Sequence, residues 1–234
     1  MDFPGEGSER FAPILSLSRS VLGGAAAVLY RIEDDNTERE LARSSLPPAF
    51  SAAYHAGLRD SDPLSAARLC PDRRKVALFS REREALGPGA DSPYASAMES
   101  YGFSDALEMI LWAGGVPVIG IGLLSAPGRE GFGDRQLDLA RSMQAHFETM
   151  ILHTPQFRRD VAERLFLRRY GLSEREMEIV RLIAEGATNA DICDILDIRL
   201  PTVKTHVARA FDKMGVDTRT AMVSRYLRAE TWLS

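Results

Sequence analysis

The chain has 234 residues, of which 45% are hydrophobic, two cysteines and a net charge of −4; that length allows one large domain or two smaller ones. No apolar run approaches the roughly 20 residues that span a bilayer. The opening Met1-Asp2-Phe3-Pro4-Gly5-Glu6 lacks a signal peptide's basic-then-apolar order, and Cys70 and Cys193 are too far apart in sequence for a metal cluster or a disulfide framework. The expectation is a cytoplasmic protein with reduced thiols and no membrane contact.

In chain order, residues 8–22 read as a helix interrupted near Pro13, Ala25–Glu33 as a strand, Asp34–Thr37 as a turn and Glu38–Arg43 as a second strand. Pro47-Pro48 opens a helix to about Arg59, and a short helix follows Asp62-Pro63. Lys75–Ser80 is a strand, Gly87-Pro88-Gly89 a loop and Ser92–Tyr101 a helix. The runs Ala106–Ala113 and Val116–Ser125 flank Gly114-Gly115, a favoured hairpin turn. Phe132–Leu152 reads as a long amphipathic helix. A sheet of about five strands with helices packed on it is the simplest architecture for the front of the chain. Three segments result: a regulatory sheet domain at 1–152, a linker at 153–170 broken from the preceding helix by Pro155, and an all-helical domain at 171–234. The fold class is α+β.

Charge separates the front from the tip. Arg199, Lys204, Arg209, Lys213, Arg219, Arg225 and Arg228 face only Asp212 and Asp217 over the stretch 199–228, whereas the front is acidic. A locally basic tip suits contact with phosphates. The linker arginines Arg158, Arg159, Arg164, Arg168 and Arg169 lie on a solvated helix or add contacts to the DNA backbone.

Four helices are legible after Gly171. Ser173 with Glu176 makes a capping box, Met177, Val180, Ile183 and Ala184 mark a buried face, and Gly186 ends the helix. Thr188 with Asp191 starts the second helix, with Ile192, Ile195 and Leu196 inward. After a tight turn at 197–200, Pro201 opens a third helix with Val203, Val207, Ala210, Phe211 and Met214 as its apolar set. Thr202, Thr205, His206, Arg209 and Lys213 form an outward stripe of groups that bond phosphates and base edges. Two short helices joined by a tight turn make a helix-turn-helix.

The wording of Leu172–Glu176, Glu185–Ile192, Thr202–Val207 and Lys213–Thr220 closely resembles the LuxR-type DNA-binding domain, almost continuously to Val223. Two departures stand at the turn, where Asp197 and Arg199 replace the family's Gly and Ser. Asp tolerates a left-handed conformation, and the lost Ser cap costs on the order of 1 kcal/mol. The resemblance implies a DNA-binding transcription regulator, expected as an activator, acting as a homodimer on double-stranded promoter DNA. Thr188, Asn189, Thr202, Lys204, Thr205, His206, Arg209 and Lys213 are its candidate DNA contacts. Ala221, Met222, Tyr226, Leu227 and Trp232 of the last helix are candidates for the dimer surface. RNA polymerase and a small-molecule effector complete the expected partners.

For the front, a phosphoacceptor receiver fails: Asp34-Asp35 reads as a turn, and Lys75 comes too early. Phe50, Tyr54, Asp62-Pro63 and Phe79 loosely follow the pattern of the acyl-homoserine-lactone class, but both expected tryptophans are Phe, which has no N–H to donate to a lactone carbonyl, and Ala106 stands for an expected Gly. The stretches Tyr101–Leu107 and Gly131–Gln136 resemble LuxR-type regulators with GAF- or PAS-like front domains, the favoured reading; a quorum-sensing lactone receptor is the alternative. Phe50, Tyr54, Asp62, Phe79 and Trp112 are the candidate ligand-pocket residues. No nucleophile elbow, phosphate loop or His-x-x-x-His pair appears, and His146 and His153 are two helical turns apart, so no enzyme, no metal and no cofactor are expected.

Overall fold

The computed structural model describes residues 11–86, 92–128, 131–153 and 155–229; the expected loop at Gly87-Pro88-Gly89 and the candidate dimer residue Trp232 lie outside them. The chain divides into two compact units, Met1–Thr149 and Met150–Ser234. The first is a five-stranded antiparallel sheet with helices on it, the second is all helical, and the α+β reading stands.

In the first unit α1 (Ala12–Leu22) precedes β1 (Ala26–Ile32) and β2 (Glu38–Ser44). Pro13 does not interrupt α1; it sits in the first turn, where its missing N–H has no partner to lose. α2 (Pro48–Ala56) is shorter than expected because Gly57, at φ 151°, breaks it into a 3₁₀ turn, Leu58–Ser61. α3 (Ala66–Leu69) follows. The expected strand Lys75–Ser80 keeps only β3 (Val76–Leu78). From Phe79 the backbone turns into α4 (Phe79–Leu86), where the Asp105 carboxylate accepts the Ser80 N–H at 3.0 Å. α5 (Pro93–Ser100) starts on Ser92, whose hydroxyl accepts the Ala95 N–H. β4 (Asp105–Ala113) and β5 (Val116–Ser125) form the hairpin, with Gly114 and Gly115 at φ 55° and 79° in its turn. α6 (Asp134–His153) closes the unit.

The sheet order is β2-β1-β5-β4-β3, so the longest hairpin lies at its centre. β5 is buried along its whole length and β4 almost so, as expected when both sheet faces are covered. On one face, α2, α5 and the connections beside them bring Phe50, Leu64, Tyr94 and Met98 against Tyr30, Ala106 and Ile110. β3 is too short to pair the far end of β4, and α6 finishes that edge. The buried Gln144 side chain donates to the Ile110 carbonyl at 2.8 Å, and the Glu148 carboxylate accepts the Trp112 N–H at 2.9 Å. Side chains on a covering helix thus close a sheet edge that would otherwise present open donors and acceptors.

In the second unit, residues 155–170 form a helix, α7 (Pro155–Tyr170), on which Val161, Ala162 and Phe166 are buried. α8 (Glu174–Ala184), α9 (Asn189–Leu196), α10 (Leu200–Met214) and α11 (Arg219–Leu227) complete the bundle. Among the described residues no helix is long and apolar enough to cross a membrane.

Replacing Gln144 with Ala leaves the Ile110 carbonyl buried without its donor. Urea unfolding of the Gln144→Ala chain is expected to show a loss of about 1–3 kcal/mol.

Candidate functional site

Both predicted capping boxes form. Ser173 and Glu176 exchange bonds at the start of α8, as do Thr188 and Asp191 at α9. Asp197 takes the left-handed conformation at φ 49°, ψ 50°, and closes α9 in place of glycine. Arg199 occupies the N-cap of α10 without a side-chain cap bond, and Pro201 sits in the first turn. Val203, Ala210 and Met214 are buried, Val207 and Phe211 half-buried. Ile195 departs from expectation: it is 58% exposed, so Ile192 alone carries the fully buried inner face of α9.

The outward stripe survives in part. Thr202, Lys204, Thr205 and Arg209 are exposed, as is Thr188, and the Thr205 hydroxyl donates to the Pro201 carbonyl at 2.9 Å. His206 is only half-buried, with its Nδ1 shielded from solvent and without a hydrogen bond; Asn189 is likewise half-buried, with its Oδ1 shielded. The Lys213 ammonium turns back onto Glu176, at 2.7 Å from Oε2. Burial of Glu176 raises its carboxyl, but the Lys213 and Ser173 hydrogen bonds outweigh that and hold it below the usual range.

Several basic residues of the tip serve the fold. Arg175 donates to the Leu196 carbonyl at 2.9 Å, Arg219 to Ala187, and Arg225 to Met214. Each satisfies a carbonyl in or just after a helix's last turn, where no intrahelical partner exists. On α11, Met222 is buried, and the Tyr226 hydroxyl donates to Glu163 of α7 at 2.6 Å while its ring meets Phe166 edge-on at 5.5 Å. The packing of the bundle therefore takes up these two candidate dimer residues, and Leu227, 62% exposed, is left outward.

The first unit holds a cavity of about 50 Å³ between the sheet and the α2 side. Phe50, Tyr54 and Asp62 line it, as expected. Trp112 does not, and Phe79 lines a second pocket of about 280 Å³ with Ser61, Pro63, Arg68, Arg83, Ser92 and Ala95. Phe79 opens α4 and packs into the aromatic cluster, 5.6 Å from Tyr94; Trp112 lies past a register shift in β4 and is half-buried. The cavity's chemistry comes instead from residues not singled out in the sequence: Tyr30, Glu38, Tyr94 and Glu108. Glu108 is the one carboxylate inside the apolar run Ala106–Ala113, and that break in the pattern was the available signal.

Tyr30 donates to Glu108 Oε1 at 2.8 Å. Two glycines of β5 make this pair possible. A Cβ at Gly120 would overlap the Tyr30 ring, and one at Gly122 would lie 3.0 Å from Glu108 Oε2. Asp62 accepts from the Tyr54 hydroxyl at 2.9 Å and from the Leu64 N–H at 2.8 Å. Glu38 Oε1 accepts the Ala66 N–H at 2.6 Å, while its Oε2 is buried with no donor among the described residues. Burial pushes Asp62 up to about 7 against its two hydrogen bonds. Burial likewise raises Glu38, and raises Glu108 strongly, with Glu38 and Asp62 adding repulsion.

Residues 171–226 match the GerE family, described as "Bacterial regulatory proteins, luxR family". The match to the luxR family is carried by this segment of the chain. A "Monoamine regulon transcriptional regulator" from Klebsiella aerogenes is 47% identical over 62 residues, 26% of this chain and 25% of that protein. The chain thus spans about a quarter of the length of the curated relatives it matches. The crystal structure of Escherichia coli SdiA has a TM-score of 0.46 and 20% identity, covering 99% of this chain and 94% of that one. A GAF domain/HD domain protein from Geobacter sulfurreducens has a TM-score of 0.46 at 12% identity, covering 63% and 95%.

The raised Asp62 has a direct stability consequence. Between the ordinary carboxyl value near 4 and about 7 the folded chain holds a proton that the unfolded chain has lost, so stability falls as pH rises through that window. Asp62→Asn removes this component. Urea unfolding at pH 4 and pH 8 is expected to show a smaller loss for the variant than for the wild type.

Proposed function

We propose that the chain is a bacterial DNA-binding transcription regulator whose LuxR-family domain reads promoter DNA and whose front unit senses an unidentified small molecule non-covalently. The observation that carries this is the exposed face of α10, where Thr202, Lys204, Thr205 and Arg209 project beside a tight turn from α9. Hydroxyls and cations on one helix face supply phosphate and base-edge contacts when the helix enters the major groove. Thr188 at the start of α9 faces solvent and adds a backbone contact; Asn189, His206 and Lys213 complete the DNA face in this reading. The regulator acts in the cytoplasm as a homodimer on half-sites about one helical turn apart. Leu227 contributes to its interface, and an activating form contacts RNA polymerase.

A ligand regulates only through a difference in affinity between DNA-competent and incompetent arrangements. The cavity in the front unit, lined by Phe50, Tyr54 and Asp62, is the place for one. A lactone receptor is the less favoured reading. Phe50 has no donor for a lactone carbonyl, both Asp62 oxygens already accept hydrogen bonds, and about 50 Å³ is far below the few hundred Å³ of typical ligand pockets.

Two measurements test these assignments. In mobility-shift titrations, Arg209→Ala and Lys204→Ala are each expected to weaken promoter binding and to lower the salt slope by about one unit, with the melting temperature nearly unchanged. Wild-type binding by both variants would put the DNA face elsewhere. In a thermal-shift screen, common acyl-homoserine lactones are expected to leave the melting temperature unchanged. A saturable stabilisation lost in Asp62→Ala would restore the lactone receptor.

A further inference from the structure

The cavity is acidic, and its carboxylates come from separate elements of the fold. Glu38 comes from β2, Glu108 from β4 and Asp62 from the connection after the 3₁₀ turn, and no Lys or Arg is among the described residues that line it. His55 is the sole basic group on its wall, with Glu40 as a further carboxylate. Tyr30 serves Glu108, and Tyr54 and a backbone N–H serve Asp62. Glu38 is different. Only 6% of it is exposed, yet Oε2 has no hydrogen bond of its own among the described residues: the nearby Tyr54 hydroxyl, which holds the Glu38 carboxyl down, gives its proton to Asp62. A buried acceptor left without a donor is a cost to the fold, and a ligand that brings a donor removes it.

We propose that this cavity is a binding site for a small organic ammonium ion, with Glu38 as its principal anchor. The inference rests on reading the front unit as a ligand sensor and names the class of ligand. An organic cation brought into this space stabilises the charged form of carboxylates that burial otherwise disfavours. The described residues contain no group of three or more His, Cys, Asp or Glu side chains placed to hold a metal ion, so a bare metal would find at most two such ligands on this wall. A primary ammonium carries three N–H donors on a carbon stem. Its donors reach Glu38 Oε2 and a neighbouring carboxylate as charge-assisted bonds, and its stem and charge lie against aromatic rings. Those rings are present: Phe50, Tyr54 and Tyr94 line the cavity, with ring centroids 6.1–6.4 Å apart from Tyr94. A volume of about 50 Å³ selects a compact ligand with few heavy atoms.

The test uses the full chain at pH 8 in isothermal titration and thermal shift. The probes are ethanolamine and 1,4-diaminobutane, the neutral isosteres ethylene glycol and 1,4-butanediol, and calcium chloride. At least one amine is expected to bind saturably, its diol isostere at least tenfold more weakly and calcium not at all. Glu38→Gln is expected to lower the amine affinity at least tenfold. Glu108→Gln, expected to weaken binding in the same direction, replaces it should the first variant fail to fold. Equal binding of amine and diol, undiminished amine binding in the folded variant, or no amine binding at 10 mM would overturn the proposal. The sensor reading is judged apart from it, by mobility shift with and without whichever compound binds. A neutral compound that binds and alters DNA affinity leaves the sensor standing and removes the ammonium class. An amine that binds without altering DNA affinity does the reverse.

Discussion

A carboxyl placed in the middle of a buried strand must be given a donor and room, and the front unit is arranged around that demand. Glu108 projects from β4, and the hydroxyl that meets it comes from Tyr30, two strands away in the sheet. The strand between them, β5, therefore has to be low, and Gly120 and Gly122 make it so. A side chain at either position would push the tyrosine or the carboxylate out of line. The helices on that face then pack around the pair instead of filling its place, and a cavity remains with Asp62 and Glu38 on its wall. Placement of one acidic residue thus accounts for the glycines of β5, the buried tyrosine hydroxyl and the shape of the space beside them.

The second unit solves a related problem by a different route. Five helices have many ends and few residues with which to finish them. Capping boxes close the starts of α8 and α9, and arginine side chains from elsewhere in the bundle reach the carbonyls at the ends of α8, α9 and α10. Glu176 links both devices: it caps Ser173 and anchors Lys213 from α10, tying the start of α8 to the recognition helix. A cap in this domain is also a tertiary contact.

Local signals in the sequence were read well and long-range ones poorly. Ser173, Thr188, Gly186 and Gly114-Gly115 act through neighbours a few residues away, and the capping boxes, helix end and hairpin all appear where their spacing puts them. The resemblance to the LuxR-type domain added the tip's architecture. What was missed depends on partners distant in sequence. Glu38 looks like an ordinary strand residue until Ala66 arrives from 28 positions away, and Tyr30 until Glu108 arrives from 78. Lys213 is exposed, as helical phase puts it, but phase alone cannot reveal the carboxylate of Glu176 on another helix that its ammonium meets. The bond between Asp105 and Ser80, 25 positions apart, begins a helix at Phe79 and packs its ring against Tyr94, on the wall of a second pocket and not of the acidic cavity.

The arginines that finish helix ends bear on how such a protein searches a genome. Arg175, Arg219 and Arg225 count toward the basic character of the tip, but their guanidinium groups face the domain's own carbonyls. On the proposed DNA-binding reading, these three guanidinium groups add little to the condensed counterions displaced when the domain meets an arbitrary stretch of duplex. Residence on irrelevant sequence is then brief, and one domain alone grips poorly. On the proposed reading of the chain as a dimeric regulator, retention at a target falls to the fit of α10 against base edges and to the simultaneous engagement of a second copy, which raises effective concentration without adding any contact to either.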